Sequence, residues 1–212
     1  MCSESNGVTP CSSVRPTQST QGKTVYKANS IYNLAKWLDE KLKPLSCNTN
    51  TITDIFAFAN ELKDLRVNKD DILVSYDVTS LFTNVPLLET IDILVEKAFI
   101  DDWFNKTHNL DISKQDLEEL LKEATMDQLF QFNSQLYKQT DGVAMGSPLG
   151  QLLANVFLCS VEEKLLRENS IPKIYRRYVD DTLAVMDSIS SAQSFLEKLN
   201  ACHPAVHFTM EL

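Results

Sequence analysis

The sequence predicts an α+β fold in which helices pack on one face of an antiparallel sheet. Short runs of β-branched and aromatic residues alternate with longer segments of helical periodicity, in the order strand, helix, strand pair, helix, strand. That order is the split β-α-β pattern. The 212 residues, 43% of them hydrophobic, are sufficient for one core and show no internal repeat. We therefore expect a single domain over residues 22–212, preceded by a disordered Ser-, Thr- and Pro-rich segment over residues 1–21.

The first elements of this domain are two amphipathic helices and an apolar strand. The helices are expected over residues 30–43, where Pro44 ends the pattern, and over residues 53–64. The strand covers residues 72–76 and is followed directly by Asp77. One face of the first helix is apolar and consists of Ile31, Leu34, Ala35, Leu38 and Leu42.

The middle of the chain predicts two more helices and a hairpin. A helix is expected over residues 86–99, because a proline is favoured in the first turn, and its inward face is expected to consist of Leu87, Ile91, Leu94, Val95 and Ala98. Ser113 and Asp116 have the spacing of a capping box and begin a helix that ends near Ala124. Residues 129–138 favour a hairpin.

The C-terminal part supplies the remaining strands of the predicted sheet. In chain order we expect a glycine-containing loop over 142–148, a buried helix around 152–158, a strand over 175–179, its return strand over 182–185, a helix over 191–200 and a final strand.

Two adjacent carboxylates lie at the tip of the predicted 175–185 hairpin. Asp180 and Asp181 occupy its turn, and Asp77 ends a strand about a hundred residues upstream. If the two strands are neighbours in one sheet, the three acids come together, and carboxylate oxygens suit a hard cation such as Mg²⁺. Taken alone, an Asp pair in a turn is more often a solvated hairpin tip, and Asp77 could equally cap the segment that follows it.

Three segments, in the same order along the chain, resemble the motifs of reverse transcriptases. Residues 178–181, Tyr-Val-Asp-Asp, resemble the Tyr-x-Asp-Asp box, residues 75–86 the first palm motif, and residues 141–149 the second. The motif sequences are most similar to those of Penelope-like retroelements, whose characteristic motifs DVxSLFTNVP, GxAMGSPL and RRYVDDT are recognisable here. Residues 32–45 resemble the upstream segment of that family, so that the resemblance extends over residues 15–212.

The resemblance implies a polymerase palm with partial helical fingers elements and the activity of an RNA-directed DNA polymerase. Asp77, Asp180 and Asp181 would be the catalytic residues and would hold two Mg²⁺ ions, with Mn²⁺ as an alternative, roughly 3.5 to 4 Å apart. The implied partners are an RNA template with its primer and deoxynucleoside triphosphates.

The resemblance also implies contacts with the substrate. They fall on Val78, Phe82, Gly146, Ser147, Pro148 and Arg15. The ring of Phe82 would lie beneath the incoming sugar and favour deoxynucleotides, because it would clash with a ribose 2′-hydroxyl. The loop would let template and nucleotide approach the backbone, and Arg15 would touch the triphosphate. Without the resemblance, Phe82 could be plain core and the loop an ordinary helix start. Gly150-Gln151 departs from the Ser-Pro that relatives more often carry there.

Charge and composition narrow the classes of function. A formal charge of −9 is the wrong sign for gripping a polyphosphate backbone, for which only Arg176, Arg177 and scattered lysines are available. Five scattered cysteines argue against zinc and indicate a reducing compartment, which we expect to be the nucleus or the cytoplasm. No apolar run approaches the roughly 20 residues of a membrane span, and no secretory signal is present.

Two other classes of function stay open beside the polymerase. One is a catalytically silent retroelement remnant, and the other is a co-opted module that uses the palm to bind RNA or protein. The resemblance implies a thumb and commonly an endonuclease segment beyond Leu212, and a primer must be held in line for the chemistry. We therefore expect the isolated chain to have little activity.

Overall fold

The structure is a computed structural model that describes residues 23–25, 29–126, 128–132, 135–139 and 142–212. The described helices are α1 (Asn29–Leu42), α2 (Ile55–Asp64), α3 (Leu81–Asn84), α4 (Leu87–Ala98), α5 (Trp103–His108), α6 (Lys114–Thr125), α7 (Pro148–Arg167) and α8 (Ile189–Cys202). The described strands are β1 (Lys23–Val25), β2 (Ile72–Val78), β3 (Leu129–Phe132), β4 (Gln135–Lys138), β5 (Ile174–Tyr178), β6 (Asp181–Met186) and β7 (Phe208–Glu211). Short 3₁₀ helices follow α1 and α4.

The chain divides into two compact units. The first consists of residues 1–46 and 82–157, and the second of residues 47–81 and 158–212, so that α7 runs from the first into the second. The expected disordered segment, 1–21, lies outside the described residues, and the expected single domain over 22–212 stays a prediction.

The second unit contains a four-stranded antiparallel sheet in the order β5-β6-β2-β7. Along β2 the side chains alternate, because successive residues of a strand point to opposite faces. Tyr76 is buried on one face, where its ring contacts Phe195 of α8 edge-on at 5.3 Å and its hydroxyl donates to the Ala192 carbonyl at 3.0 Å. Leu73 and Asp77 are exposed on the other face. The predicted sheet with helices on one face is confirmed.

Hydrogen bonds of a threonine side chain fix the register of β2 against β6. The pairing runs from Ile72 opposite Met186 to Tyr76 opposite Thr182. The Thr182 hydroxyl accepts from the Tyr76 amide at 2.9 Å and donates to the Tyr76 carbonyl at 2.8 Å. Because a slip of one residue would move every side chain to the opposite face, this contact also fixes which side of the sheet carries Asp77.

The first unit contains the helices α1, α4 and α6, of which α6 contacts both of the others, and the sheet β1-β3-β4. The predicted capping box is present: the Ser113 hydroxyl accepts from the Asp116 amide at 3.1 Å, and the Asp116 carboxylate accepts from the Ser113 amide at 2.9 Å. The predicted hairpin corresponds to β3 and β4, with residues 133–134 outside the described part. The predicted apolar face of α4 is buried and consists of Leu87, Ile91, Leu94, Val95 and Ala98.

Helix α2 was predicted from its periodicity, and its apolar face is not buried. The helix is capped by Asp54, whose carboxylate accepts from the Phe56 and Ala57 amides, yet none of its residues is buried and Phe56 is 83% exposed. Periodicity therefore predicted the element correctly without predicting burial. None of the helices that the structure describes is long and apolar enough to span a membrane.

Candidate active site

Asp77 lies within β2, one residue beyond the strand that the sequence predicted. It pairs with Thr209 of β7. On the other side of β2, the pairing with β6 reaches Tyr76 and Thr182, so that Asp77 and Asp181 are the next residues along their two strands. Both are exposed. The sheet therefore brings the first and the last of the three acids to neighbouring positions at the end of the two central strands.

Asp180 occupies the turn of the hairpin formed by β5 and β6. Tyr178 pairs with Asp181, which leaves Val179 and Asp180 as the two turn residues. Val179 has φ +58°, and Asp180 is not among the residues with positive φ. Positive φ at the first turn position alone is the pattern of type II′ turns, which favour glycine there. The hairpin is confirmed, with a backbone that is unusual for a β-branched residue.

The electrostatics show that the three carboxylates act on one another. Partial burial raises the pKa of Asp77, and the charges of Asp180 and Asp181 raise it further. Glu211 of β7 adds to the effect, while a hydrogen bond to the Val78 amide opposes it. Asp77 is therefore held where its neighbours disfavour its charge, and a bound cation would reverse that balance.

The donor set fits a hard divalent cation in its chemistry, since all three ligands would be carboxylate oxygens. The side chains are not gathered into a ready ligand set, however. Within the described residues, no group of three or more His, Cys, Asp or Glu side chains is placed to hold a metal ion. The acids would have to close around the ion by rotation of their side chains, and the metal-binding role stays a prediction.

The turn is supported by a buried arginine, which the sequence analysis mentioned only as a basic residue available to nucleic acid. Arg177 is 0% exposed, its Nε donates to the Glu162 carboxylate at 2.6 Å, and its Nη1 donates to the Val179 carbonyl at 2.8 Å. The neighbouring Arg176 pairs with Glu61 of α2. Both arginines thus have carboxylate partners, and their use as a basic track for nucleic acid stays a prediction. The period-two pattern, which puts Arg177 on the buried face of β5 with Tyr175, could have signalled this burial.

Phe82 and the glycine-containing loop meet in the first unit. The Val143 amide donates to the Phe82 carbonyl at 2.7 Å. A Cβ on Gly142 would lie 2.7 Å from that same oxygen, so that the approach requires glycine. A Cβ on Gly150 would lie 3.2 Å from the Ala144 carbonyl oxygen and 3.9 Å from the Phe82 ring. Gly150, which departs from the family pattern, therefore also lies close to the Ala144 backbone and near the Phe82 ring.

The other predicted substrate contacts have different surroundings. Gly146 is exposed with φ +85°, the Ser147 amide donates to the Ala144 carbonyl at 3.0 Å, and Pro148 begins α7. Val78 is 2% exposed as a whole residue. Arg15 lies outside the described residues. All these roles stay predictions.

Comparison with known families decides the class of protein. The sequence model of the family "Reverse transcriptase (RNA-dependent DNA polymerase)" matches residues 9–211. The chain belongs to the reverse transcriptase family. No curated protein matches the sequence.

Solved structures similar to this reverse transcriptase chain include three telomerases. A telomerase from Candida albicans in complex with a TWJ fragment of telomeric RNA has a TM-score of 0.59 at 15% identity, covering 85% of this chain and 34% of its own. An apo telomerase from Candida tropicalis has a TM-score of 0.59 at 14% identity, covering 85% and 36%. A form of it truncated from the C-terminal domain has a TM-score of 0.57 at 17% identity, covering 88% and 41%.

These likenesses concern the fold. They agree with an α+β reverse transcriptase domain in which a palm sheet is accompanied by helical fingers elements. The chain spans about a third to two fifths of the length of the telomerase chains that it matches.

Proposed function

We propose that this chain is the polymerase domain of a Penelope-like retroelement and adds deoxynucleotides to a primer on an RNA template. The observation that carries the proposal is the placement of Asp77, Asp180 and Asp181 at the end of two adjacent strands, where their charges act on one another. The family supports polymerase chemistry. The Penelope-like origin is supported by the motif wording around these acids.

The three acids would hold two Mg²⁺ ions during the reaction. When bound, such ions lower the pKa of the primer 3′-hydroxyl and neutralise charge on the triphosphate and its leaving group. For this chain, binding requires Asp77 to be ionised, and its pKa is raised by burial and by its acidic neighbours. Cation affinity should therefore fall as the pH falls through the raised pKa of Asp77, because protons and the cation compete for one carboxylate.

The glycine-containing loop and Phe82 would contact the incoming nucleotide. Phe82 is half-buried, with its backbone held against Gly142 and its ring near Gly150. We propose that this ring contacts the incoming sugar and disfavours a 2′-hydroxyl. In a primer-extension assay, Phe82→Ala should then admit ribonucleotides. Unchanged discrimination between the two sugars would contradict the role.

The acids are tested by substituting Asp180 and Asp181 around the start of β6, with a matched control just beyond the end of the same strand. Asp181 begins this strand and Asp187 directly follows its end. On a primed RNA template with Mg²⁺, Asp180→Asn and Asp181→Asn should each reduce extension by more than the roughly 10- to 100-fold that outer-shell changes cost. Asp187→Asn should leave extension unchanged. Equal effects of all three substitutions would contradict the proposed site.

A second measurement covers the case of slow synthesis. Binding of Mn²⁺, followed by loss of the EPR signal of the free ion, should depend on Asp180 and not on Asp187. If the protein neither extends the primer nor binds Mn²⁺ through Asp180, the result would favour a catalytically silent remnant. RNA binding that survives Asp180→Asn in a protein without synthesis would favour the co-opted binding module.

A further inference from the structure

The backbone of the carboxylate turn is strained at the residue before Asp180. Val179 has φ +58°, a region that glycine occupies freely and a β-branched residue rarely. Such a conformation is strained and persists only where the surroundings over-determine it. Something outside the turn must therefore hold the Val179 peptide.

The guanidinium of Arg177 is the group that reaches this peptide. Its Nη1 donates to the Val179 carbonyl oxygen at 2.8 Å. Its other nitrogens face α7: Nε donates to Glu162 Oε1 at 2.6 Å, and Nη2 donates to Glu162 Oε2 at 3.3 Å and to the Cys159 sulfur at 3.4 Å. The planar fork thus connects the turn to the residues of α7 that belong to the same unit, with one side on each.

The fork is itself fixed by its surroundings. Glu162 is 2% exposed and accepts a further hydrogen bond from Asn48 Nδ2 at 2.6 Å. The Arg177 backbone amide donates to the Asn50 carbonyl at 2.8 Å, and the Arg177 carbonyl accepts from the Ile52 amide at 2.7 Å. Burial acts to lower the pKa of Arg177, but the charge and hydrogen bonds of Glu162 outweigh it and raise that pKa, so the guanidinium stays charged.

We propose that the buried pair of Arg177 and Glu162 positions the catalytic turn. By holding the Val179 carbonyl, the guanidinium keeps Val179 at positive φ and so sets the direction in which the Asp180 and Asp181 side chains leave the hairpin. This inference rests on the proposed function. Arg177 acts through the turn as a positioning residue, and it matters because ligand groups must be held within about 0.5 Å of their working geometry.

A purely structural role for the pair makes a different prediction. Replacing a buried ion pair by neutral side chains of similar size is often harmless to stability, whereas removing one partner is not. If the pair served only to fill the core, a neutral replacement should restore everything together. If it positions the turn, stability should return while the turn stays loose.

The variants follow from this contrast. Arg177→Lys keeps the charge and removes the fork, and Arg176→Lys is its matched control one residue earlier, since Arg176 pairs with Glu61 at the surface of the same strand. The double variant Glu162→Gln/Arg177→Met removes both buried charges. The glutamine oxygen still offers an acceptor to Asn48, and the methionine fills the space of the arginine stem.

Two readouts are made on the whole chain. The first is amide hydrogen exchange over residues 179–182 without divalent cations, which reports on the turn whether or not it binds metal. The second is Mn²⁺ affinity from the EPR signal of the free ion. In Arg177→Lys, exchange should accelerate at least about 10-fold and affinity fall about 10- to 100-fold, the range of outer-shell partners. Arg176→Lys should change neither.

The double variant should melt close to the native protein while its exchange and affinity remain those of Arg177→Lys. Recovery of all three properties together would overturn the inference, as would turn exchange in Arg177→Lys equal to that in Arg176→Lys. Asp180→Asn separates the two proposals. If it leaves Mn²⁺ binding unchanged, the proposed metal site fails, and the exchange data alone decide whether Arg177 holds the turn.

Discussion

The glycine-containing loop of the first unit and the carboxylate turn of the second both require positive φ, and they meet the requirement differently. In the loop, Gly142 at φ +72° and Gly146 at φ +85° adopt it without steric cost. In the turn, Val179 adopts it at φ +58°, supported by the buried guanidinium of Arg177. In the loop, glycine itself makes positive φ possible. In the turn, a hydrogen bond to the backbone of a β-branched residue maintains positive φ next to side chains whose direction matters.

The two glycines of the loop also differ from each other. A Cβ on Gly142 would lie 2.6 Å from the Thr83 carbonyl oxygen, whereas a Cβ on Gly146 would have nothing within 4 Å. Gly142 is therefore required by both space and conformation, and Gly146 by conformation alone. This difference, together with Val179, gives a graded set of backbone positions on which the comparison can be tested.

The largest effect on stability is expected at Gly142. Gly142→Ala should destabilise the protein by about 3 kcal/mol or more, because the methyl group meets rigid backbone in addition to an unfavourable φ. Gly146→Ala should cost only about 1–2 kcal/mol, the usual penalty of the left-handed region. Urea unfolding of both variants measures the difference. Equal losses would show that the close approach to Thr83 does not matter.

At Asp77, unlike at the glycines, a substitution is expected to stabilise the metal-free protein. Because its pKa is raised above the usual 3.8, the native state binds more protons than the unfolded state between 3.8 and the raised value. Stability should therefore fall as the pH rises through that window, and the loss should be complete above it. Asp77→Asn should raise the melting temperature of the metal-free protein at neutral pH, flatten its pH dependence and abolish Asp180-dependent Mn²⁺ binding.

The control for Asp77 is Asp187→Asn, which removes an exposed acid after β6. It should leave both the melting temperature and the Mn²⁺ binding unchanged. A lower melting temperature for metal-free Asp77→Asn would contradict the repulsion among the three acids.

The smallest effect on stability is expected at Val179. Val179→Gly removes a strain of about 1 kcal/mol or more and adds unfolded-state entropy worth roughly 0.5–1 kcal/mol, so that the two nearly cancel. The free energy of unfolding should change by less than about 1 kcal/mol, measured in urea. Exchange of the turn amides should nevertheless become faster, since glycine reaches many more conformations. A loss as large as that of Gly142→Ala would place Val179 with the sterically required positions.

The sequence by itself determined the local features of this protein. Most strands and helices, the buried face of α4, the capping box at Ser113 and the hairpin carrying Asp180 were predicted correctly, whereas β1, α3 and α5 were not predicted. Each depends on residues within a few positions of one another, through the periods of helix and strand or through turn chemistry. The motifs around the acids also predicted the family.

Tertiary structure decided what covers each face and which charges are paired. The periodicity of α2 could not tell that Phe56 stays exposed, and the alternation of β5, which puts Arg177 on its buried face, could not tell which group pairs with it. The partners of Arg177, namely Glu162 and the backbone of Asn50, come from distant parts of the chain. Local pattern determines which side chains share a face, but the free energy of burying a charge depends on partners that only the folded chain brings near.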